Sequence, residues 1–141
     1  MKWRLFKHLR HGGNDPDAER VYRWHIDKRS GARMVAGLPT DRWKLSLDDY
    51  VASAKALFEM MRDDGFHPNG AVPVDPYGEL LQGSHRVACA LALGIETIPV
   101  IHEQRRVWAP AWGYDWFMAN DMPHDDLARL CADWQKIGVP A

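Results

Sequence analysis

Gly83-Ser84-His85-Arg86 places a hydroxyl, an imidazole and a guanidinium directly after a glycine, and it carries the clearest chemical signal in the chain. An apolar run, Val87 to Leu93, follows, so the four residues read as a tight corner opening a helix. A helix start offers unpaired N–H groups and the positive end of a dipole, which favour an anion. Arg86 can hold phosphate oxygens bidentately, Ser84 can donate one hydroxyl hydrogen bond, and His85 can add a donor or a proton. The plainer alternative is a turn glycine, a serine N-cap and two solvated first-turn residues. Two cationic residues at the positive end of a helix are unfavourable unless an anion joins them, however, and that tips the balance toward an anion site.

If phosphoryl transfer follows binding, Mg²⁺ bridges the phosphates and a carboxylate orients the acceptor hydroxyl. Glu79 is the candidate carboxylate and, with His85, the candidate catalytic pair; Asp75 and Glu103 also lie near the corner in sequence. Asp41 and Arg42, in the polar approach to a long helix, are candidates to reach the substrate from another loop. Trp108 and Trp112, beside Pro110 and Gly113, are candidates for a lid that stacks on the ligand. Each has a plainer reading: an exposed residue after a turn for Glu79, capping or surface pairing for Asp41 and Arg42, and core filling for the tryptophans. Core filling is preferred for Trp116 and Trp134. His25 and Asp27 read as solvent-exposed, and His8 and His11 lack further ligands at zinc spacing, so no residues are assigned to a resident metal. The sequence holds no G-x-x-x-x-G-K-[ST] loop, G-x-S-x-G elbow, H-E-x-x-H or C-x-x-C motif.

With 141 residues, 46% of them hydrophobic, the chain suits one core and a single domain over residues 1–141. Eighteen basic against nineteen acidic residues give a net charge of −1, which makes nucleic acid an unlikely partner. The basic cluster Lys2, Arg4, Lys7 and Arg10 keeps nucleic-acid binding as the weakest of the readings. Cys89 and Cys131 sit in apolar helical patterns and suit buried free thiols in a reducing compartment. No apolar run approaches the roughly 18 residues of a membrane span, and no signal peptide is recognisable. The expectation is a soluble, cytoplasmic protein with no membrane span and a small-molecule substrate.

The elements that must position the corner read as follows. A short helix spans Met1 to His11. Arg20 to Asp27 alternates Tyr22, Trp24 and Ile26 with Arg23, His25 and Asp27, which argues for a half-buried strand, with helix as an alternative. Ser30-Gly31 then turns toward a second strand near Arg33 to Ala36. Ser46 and Asp49 make a capping box for a helix to Asp64 that Gly65 stops. Asp75-Pro76-Tyr77-Gly78 fits a type I turn joining strands near Ala71 to Val74 and Glu79 to Gln82. Ser84 to Leu93 forms a helix apolar nearly all round, hence buried on more than one side. Thr97 to Ile101 is a strand in which Pro99 keeps its missing N–H off the ladder. A short helix near Tyr114 to Ala119 and a last one from Pro123 to Ile137, capped by Gly138, complete the chain.

The run of turn, GELLQGSHR, apolar helix, glycine and IPVI resembles the ParB/sulfiredoxin superfamily over about residues 65–102. The resemblance implies an α+β fold, a small mixed sheet packed with helices, and a glycine-led motif ending in Arg86 that binds nucleotide phosphates. Sulfiredoxins carry Gly-Cys-His-Arg here; Ser84 replaces the reactive cysteine, so thiol-based sulfinic-acid reduction is excluded. Chromosome-partition members bind CTP with a similar box but continue into a helix-turn-helix region for which this chain has no room. Free-serine kinases of the superfamily are compact and share the His-Arg pair. They carry an acidic residue at the position of Gln82, so which carboxylate acts as base stays open. By resemblance the chain is expected to bind ATP, or CTP, with Mg²⁺ and to transfer phosphoryl to a small hydroxyl-bearing metabolite. The alternative is a non-catalytic nucleotide- or anion-sensing module. Acceptor, base preference, pathway and oligomeric state are not legible.

Overall fold

In a computed structural model, residues 1–35, 44–106 and 113–137 are described. Asp41, Arg42, Trp108 and Trp112 lie outside the described residues, as do Ala36 and Gly138. The architecture is α+β, mostly helical, with a two-stranded parallel sheet. The chain is described as two compact units, residues 1–107 and 108–141.

The first unit runs α1 (Lys2–Arg10), α2 (Asp17–Val35), α3 (Leu47–Asp64), β1 (Val72–Val74), α4 (Ser84–Leu93) and β2 (Val100–His102). Strand β1 pairs in parallel with β2, Val72 opposite Val100 and Val74 opposite His102. The Val72 amide donates to the Pro99 carbonyl at 2.9 Å, so Pro99 contributes an acceptor where it lacks a donor. The core joins α1, α2, α3 and α4 through Leu5, Phe6, Tyr22, Ile26, Phe58 and Cys89. Each such side chain contributes on the order of 1.5–3 kcal/mol of burial free energy.

Helix α3 starts where the capping box predicts: the Ser46 hydroxyl accepts from the Asp49 amide at 3.1 Å, and the Asp49 carboxylate accepts from the Ser46 amide at 2.9 Å. Its buried stripe, Val51, Ala54, Phe58 and Met61, runs at steps of three and four. Asp63, at the unfavourable end for the dipole, pairs with Arg62 at 2.7 Å.

Residues 20–27 are not a strand, and Ser30-Gly31 is not a turn; both lie within α2. The buried residues Val21, Tyr22, His25 and Ile26 repeat at helical spacing. The alternation of Tyr22, Trp24 and Ile26 is therefore coincidental. The missed signal stands just upstream in Asp15-Pro16-Asp17. The Asp15 carboxylate accepts from the Asp17 amide at 3.1 Å and its carbonyl from the Ala18 amide at 3.2 Å, with Pro16 in the first turn. Glu19 and Arg23, four apart, then pair at 2.9 Å.

The Asp75–Gly78 turn forms as expected. The Gly78 amide donates to the Asp75 carbonyl at 3.0 Å, and Asp75 Oδ1 accepts from the amides of Tyr77 and Glu79 at 2.8 and 2.9 Å. The hairpin it closes is short: an antiparallel bridge, Val74 with Leu80, and a bond from the Leu81 amide to the Pro73 carbonyl at 3.0 Å. Helix α4 forms over the predicted residues, but it is not buried all round. Cys89, Ala90 and Ala92 are covered while Leu91 is 50% exposed.

The second unit contains α5 (Tyr114–Ala119) and α6 (His124–Lys136), close to the predicted spans. The Phe117 ring lies 5.9 Å from the half-buried Trp134 and 5.2 Å from the half-buried Trp116, consistent with core filling by these tryptophans. Both cysteines are free. Among the described residues no helix is long and apolar enough to cross a membrane.

Candidate functional site

The chain reaches the corner through the hairpin, and Gly83 turns it with φ +83°, a left-handed conformation that side chains disfavour. The first intrahelical bond of α4 runs from the Val87 amide to the Gly83 carbonyl at 3.0 Å. The amides of Ser84, His85 and Arg86 thus precede the helical ladder and lie at the positive end of the dipole.

Three different elements hold the three side chains. The Lys2 Nζ of α1 donates to Ser84 Oγ at 2.6 Å. His85 points to α2, where its Nε2 lies 2.8 Å from the Tyr22 hydroxyl and its ring meets the Tyr22 ring edge-on at 5.8 Å. Arg86 Nη1 donates to the carbonyl of Gly70, within the turn where the Gly70 amide bonds back to the His67 carbonyl at 2.9 Å. The guanidinium folds close over Gly83: a Cβ there would lie 2.9 Å from Arg86 Nη2.

Further cations surround the corner. The Arg29 guanidinium lies 5.7 Å, and the Lys44 ammonium 4.7 Å, from the centre of the buried Tyr50 ring. Burial, then the positive charges of Lys2, Lys44 and Arg29, hold the His85 imidazole down at a pKa of about 2. His25, expected at the surface, is only 5% exposed. Burial, with Lys2 and Arg29, holds it down at about 3. Both imidazoles are therefore neutral at physiological pH.

The structure brings Gly83, Ser84, His85 and Arg86 together as one corner. Glu79 is exposed at the end of the turn, where its amide and carbonyl are bonded to Asp75. The sequence reading missed Lys2, Tyr22, His25, Arg29, Lys44 and Tyr50. For Lys2 the basic run at residues 2–10 was the only signal, and it does not say which cation meets the corner. Beside Arg86, Leu57, Met60, Met61, Phe66 and His67 line a cavity of ≈ 30 Å³.

No family model matches the chain, and comparisons with curated proteins and with solved structures find no match.

Proposed function

We propose that the Gly83–Arg86 corner binds the phosphates of a nucleoside triphosphate, ATP or CTP, and that the protein is a small-molecule phosphotransferase of ParB/sulfiredoxin type. One observation carries the reading: at the positive end of α4 Lys2 bonds Ser84 and Arg86 folds over the left-handed Gly83, while Arg29 and Lys44 act on His85 between them. An anion is favoured at the positive end of a helix. Gly83 lets the Arg86 guanidinium fold close over the helix end, and Ser84 adds a hydroxyl between Lys2 and that end. After its bond to Gly70, Arg86 retains further N–H donors in a planar fork suited to phosphate. The residues present fit a phosphate group.

Mg²⁺ would arrive on the nucleotide and neutralise charge on its oxygens. His85, neutral in the free site, serves as a hydrogen-bond donor and not as a cation. Glu79 is the carboxylate proposed to orient the acceptor hydroxyl.

A second reading, a nucleotide- or anion-sensing module, draws support from the exposure of Glu79 and from Gln82 at the position where related kinases carry an acid. Nucleic-acid binding through α1 draws less, because Arg4 is paired with Asp15 at 2.5 Å and Arg10 is bonded to the Ala92 carbonyl at 2.7 Å.

Titration calorimetry with Mg·ATP and Mg·CTP tests the binding claim. Arg86→Gln should lose at least tenfold in affinity while circular dichroism shows a folded chain; equal affinity refutes the assignment. Incubation with ATP and a panel of small hydroxy compounds separates the two readings. A phosphorylated product supports the transferase, and tight binding without product supports the sensor.

A further inference from the structure

Helices α1 and α4 lie side by side and point the same way. Lys2 meets Ser84 at one end, and Arg10, eight residues on, meets the carbonyl of Ala92, eight residues on from Ser84, at the other. Arg10 occupies the favourable place for a cation, the negative end of α4. Lys2 occupies the opposite one, where the positive ends of two helices adjoin.

Ser84 and Arg86 are two residues apart, so they leave the helix axis in directions about 200° apart. Accordingly, Ser84 faces Lys2 on α1, while Arg86 faces the Gly70 turn beyond α3. An anion that meets both Lys2 and Arg86 must extend across the end of α4. A single phosphate at Gly83 satisfies one side of that helix end; a chain of phosphates spans it. Arg29 and Lys44, stacked on Tyr50, add positive charge on the Lys2 side, close enough to act on His85.

From this arrangement we infer that α1 forms half of the site: Lys2, supported by Arg29 and Lys44, holds the distal phosphates of a ligand whose proximal phosphate rests on Arg86, so that polyphosphorylated nucleotides are selected over monophosphates. The inference rests on the nucleotide-binding reading and goes beyond it in assigning α1 and the ligand class.

Calorimetry on the full chain at fixed ionic strength with Mg²⁺ and ATP, ADP, AMP or inorganic tripolyphosphate tests it. The wild type should bind ATP at least tenfold more tightly than AMP, and tripolyphosphate should compete with ATP. Lys2→Met should lose tenfold or more for ATP, stay within threefold for AMP, and be largely rescued in Lys2→Arg. Lys44→Met, outside both α1 and α4, should lose several-fold for ATP and serves if Lys2→Met fails to fold. ATP affinity unchanged in a folded Lys2→Met overturns the role of α1; where Lys2→Met does not fold, unchanged affinity in Lys44→Met overturns the distal-phosphate site as a whole. Equal affinity of the wild type for ATP and AMP overturns the ligand class. No binding of any nucleotide overturns the underlying nucleotide reading instead.

Discussion

The Tyr22 hydroxyl lies 2.8 Å from Nε2 of His85, whereas its distance to the Tyr50 carbonyl is 3.5 Å, at the outer limit of a hydrogen bond. A hydroxyl has one hydrogen, so Tyr22 either donates to Nε2, or donates to the Tyr50 carbonyl and accepts from an Nε2–H. In either arrangement Tyr22, buried in the core, couples the tautomer of the residue between Ser84 and Arg86 to its own hydroxyl.

The two buried imidazoles make stability fall in acid. Their pKa values, about 3 for His25 and about 2 for His85, lie below the ordinary 6.5. Below pH 6.5 the unfolded chain therefore binds protons that the folded chain refuses, and stability falls down to the folded values. The expected loss between pH 7.5 and pH 5 is about 2 kcal/mol per histidine, from a slope of about 1.4 kcal/mol per pH unit for each proton. Hydrogen bonding by Arg4 keeps the Asp15 carboxylate low, and for Glu19 burial works upward but Arg23 and Lys55 outweigh it. Those acids act only below about pH 4 to 4.5. Urea denaturation at pH 7.5 and pH 5 measures the effect, and a flat profile would contradict neutral burial of both rings.

Tyr22→Phe removes the hydroxyl partner of Nε2 without changing the ring packing. The expected cost is about 1–2 kcal/mol, because a largely buried imidazole nitrogen is left unsatisfied. ATP affinity should also fall, since His85 is no longer held in one tautomer. Chemical denaturation and calorimetry on the same variant separate the two effects. An ATP affinity equal to that of the wild type would remove His85 from the binding donors.

The corner was legible because its residues are consecutive and its helix obeys local rules: Gly83 turns the chain, Ser84 to Leu93 is helical, and the Ser46–Asp49 box starts α3 on the expected residue. The cations were not legible. Lys2 stands 82 positions from Ser84, and their 2.6 Å contact depends on α1 lying along α4, which no local pattern encodes. Tyr22 and His25 were obscured by an alternation that mimicked a strand, although Asp15-Pro16-Asp17 marked a helix start.

Gly83→Ala separates conformational strain from loss of the site when set beside Gly94→Ala. Both glycines are left-handed, φ +83° and +76°, so each substitution should cost about 1–2 kcal/mol. At Gly94 the nearest atom to a new Cβ, Arg10 Nη1, is at an ordinary 3.8 Å. At Gly83 the new Cβ meets Arg86 Nη2 at 2.9 Å and Val72 Cγ1 at 3.2 Å. The guanidinium must move. Gly83→Ala should lose at least tenfold in ATP affinity by calorimetry, and Gly94→Ala should keep wild-type affinity. Equal affinities would show that the site does not depend on the position of Arg86.

Arg10→Ala tests whether α1 acts on the ligand or only packs. Its guanidinium donates to the Ala92 carbonyl at 2.7 Å, at the end of α4 remote from Gly83. Losing that bond and its favourable interaction with the dipole should lower stability by about 1 kcal/mol. If Lys2 contacts phosphate directly, ATP affinity in Arg10→Ala stays within twofold of the wild type while Lys2→Met loses tenfold or more. If α1 merely braces α4, removing either anchor loosens the same contact, and the two variants weaken ATP binding equally. The ratio of the two affinities therefore distinguishes a ligand-binding lysine from a structural one.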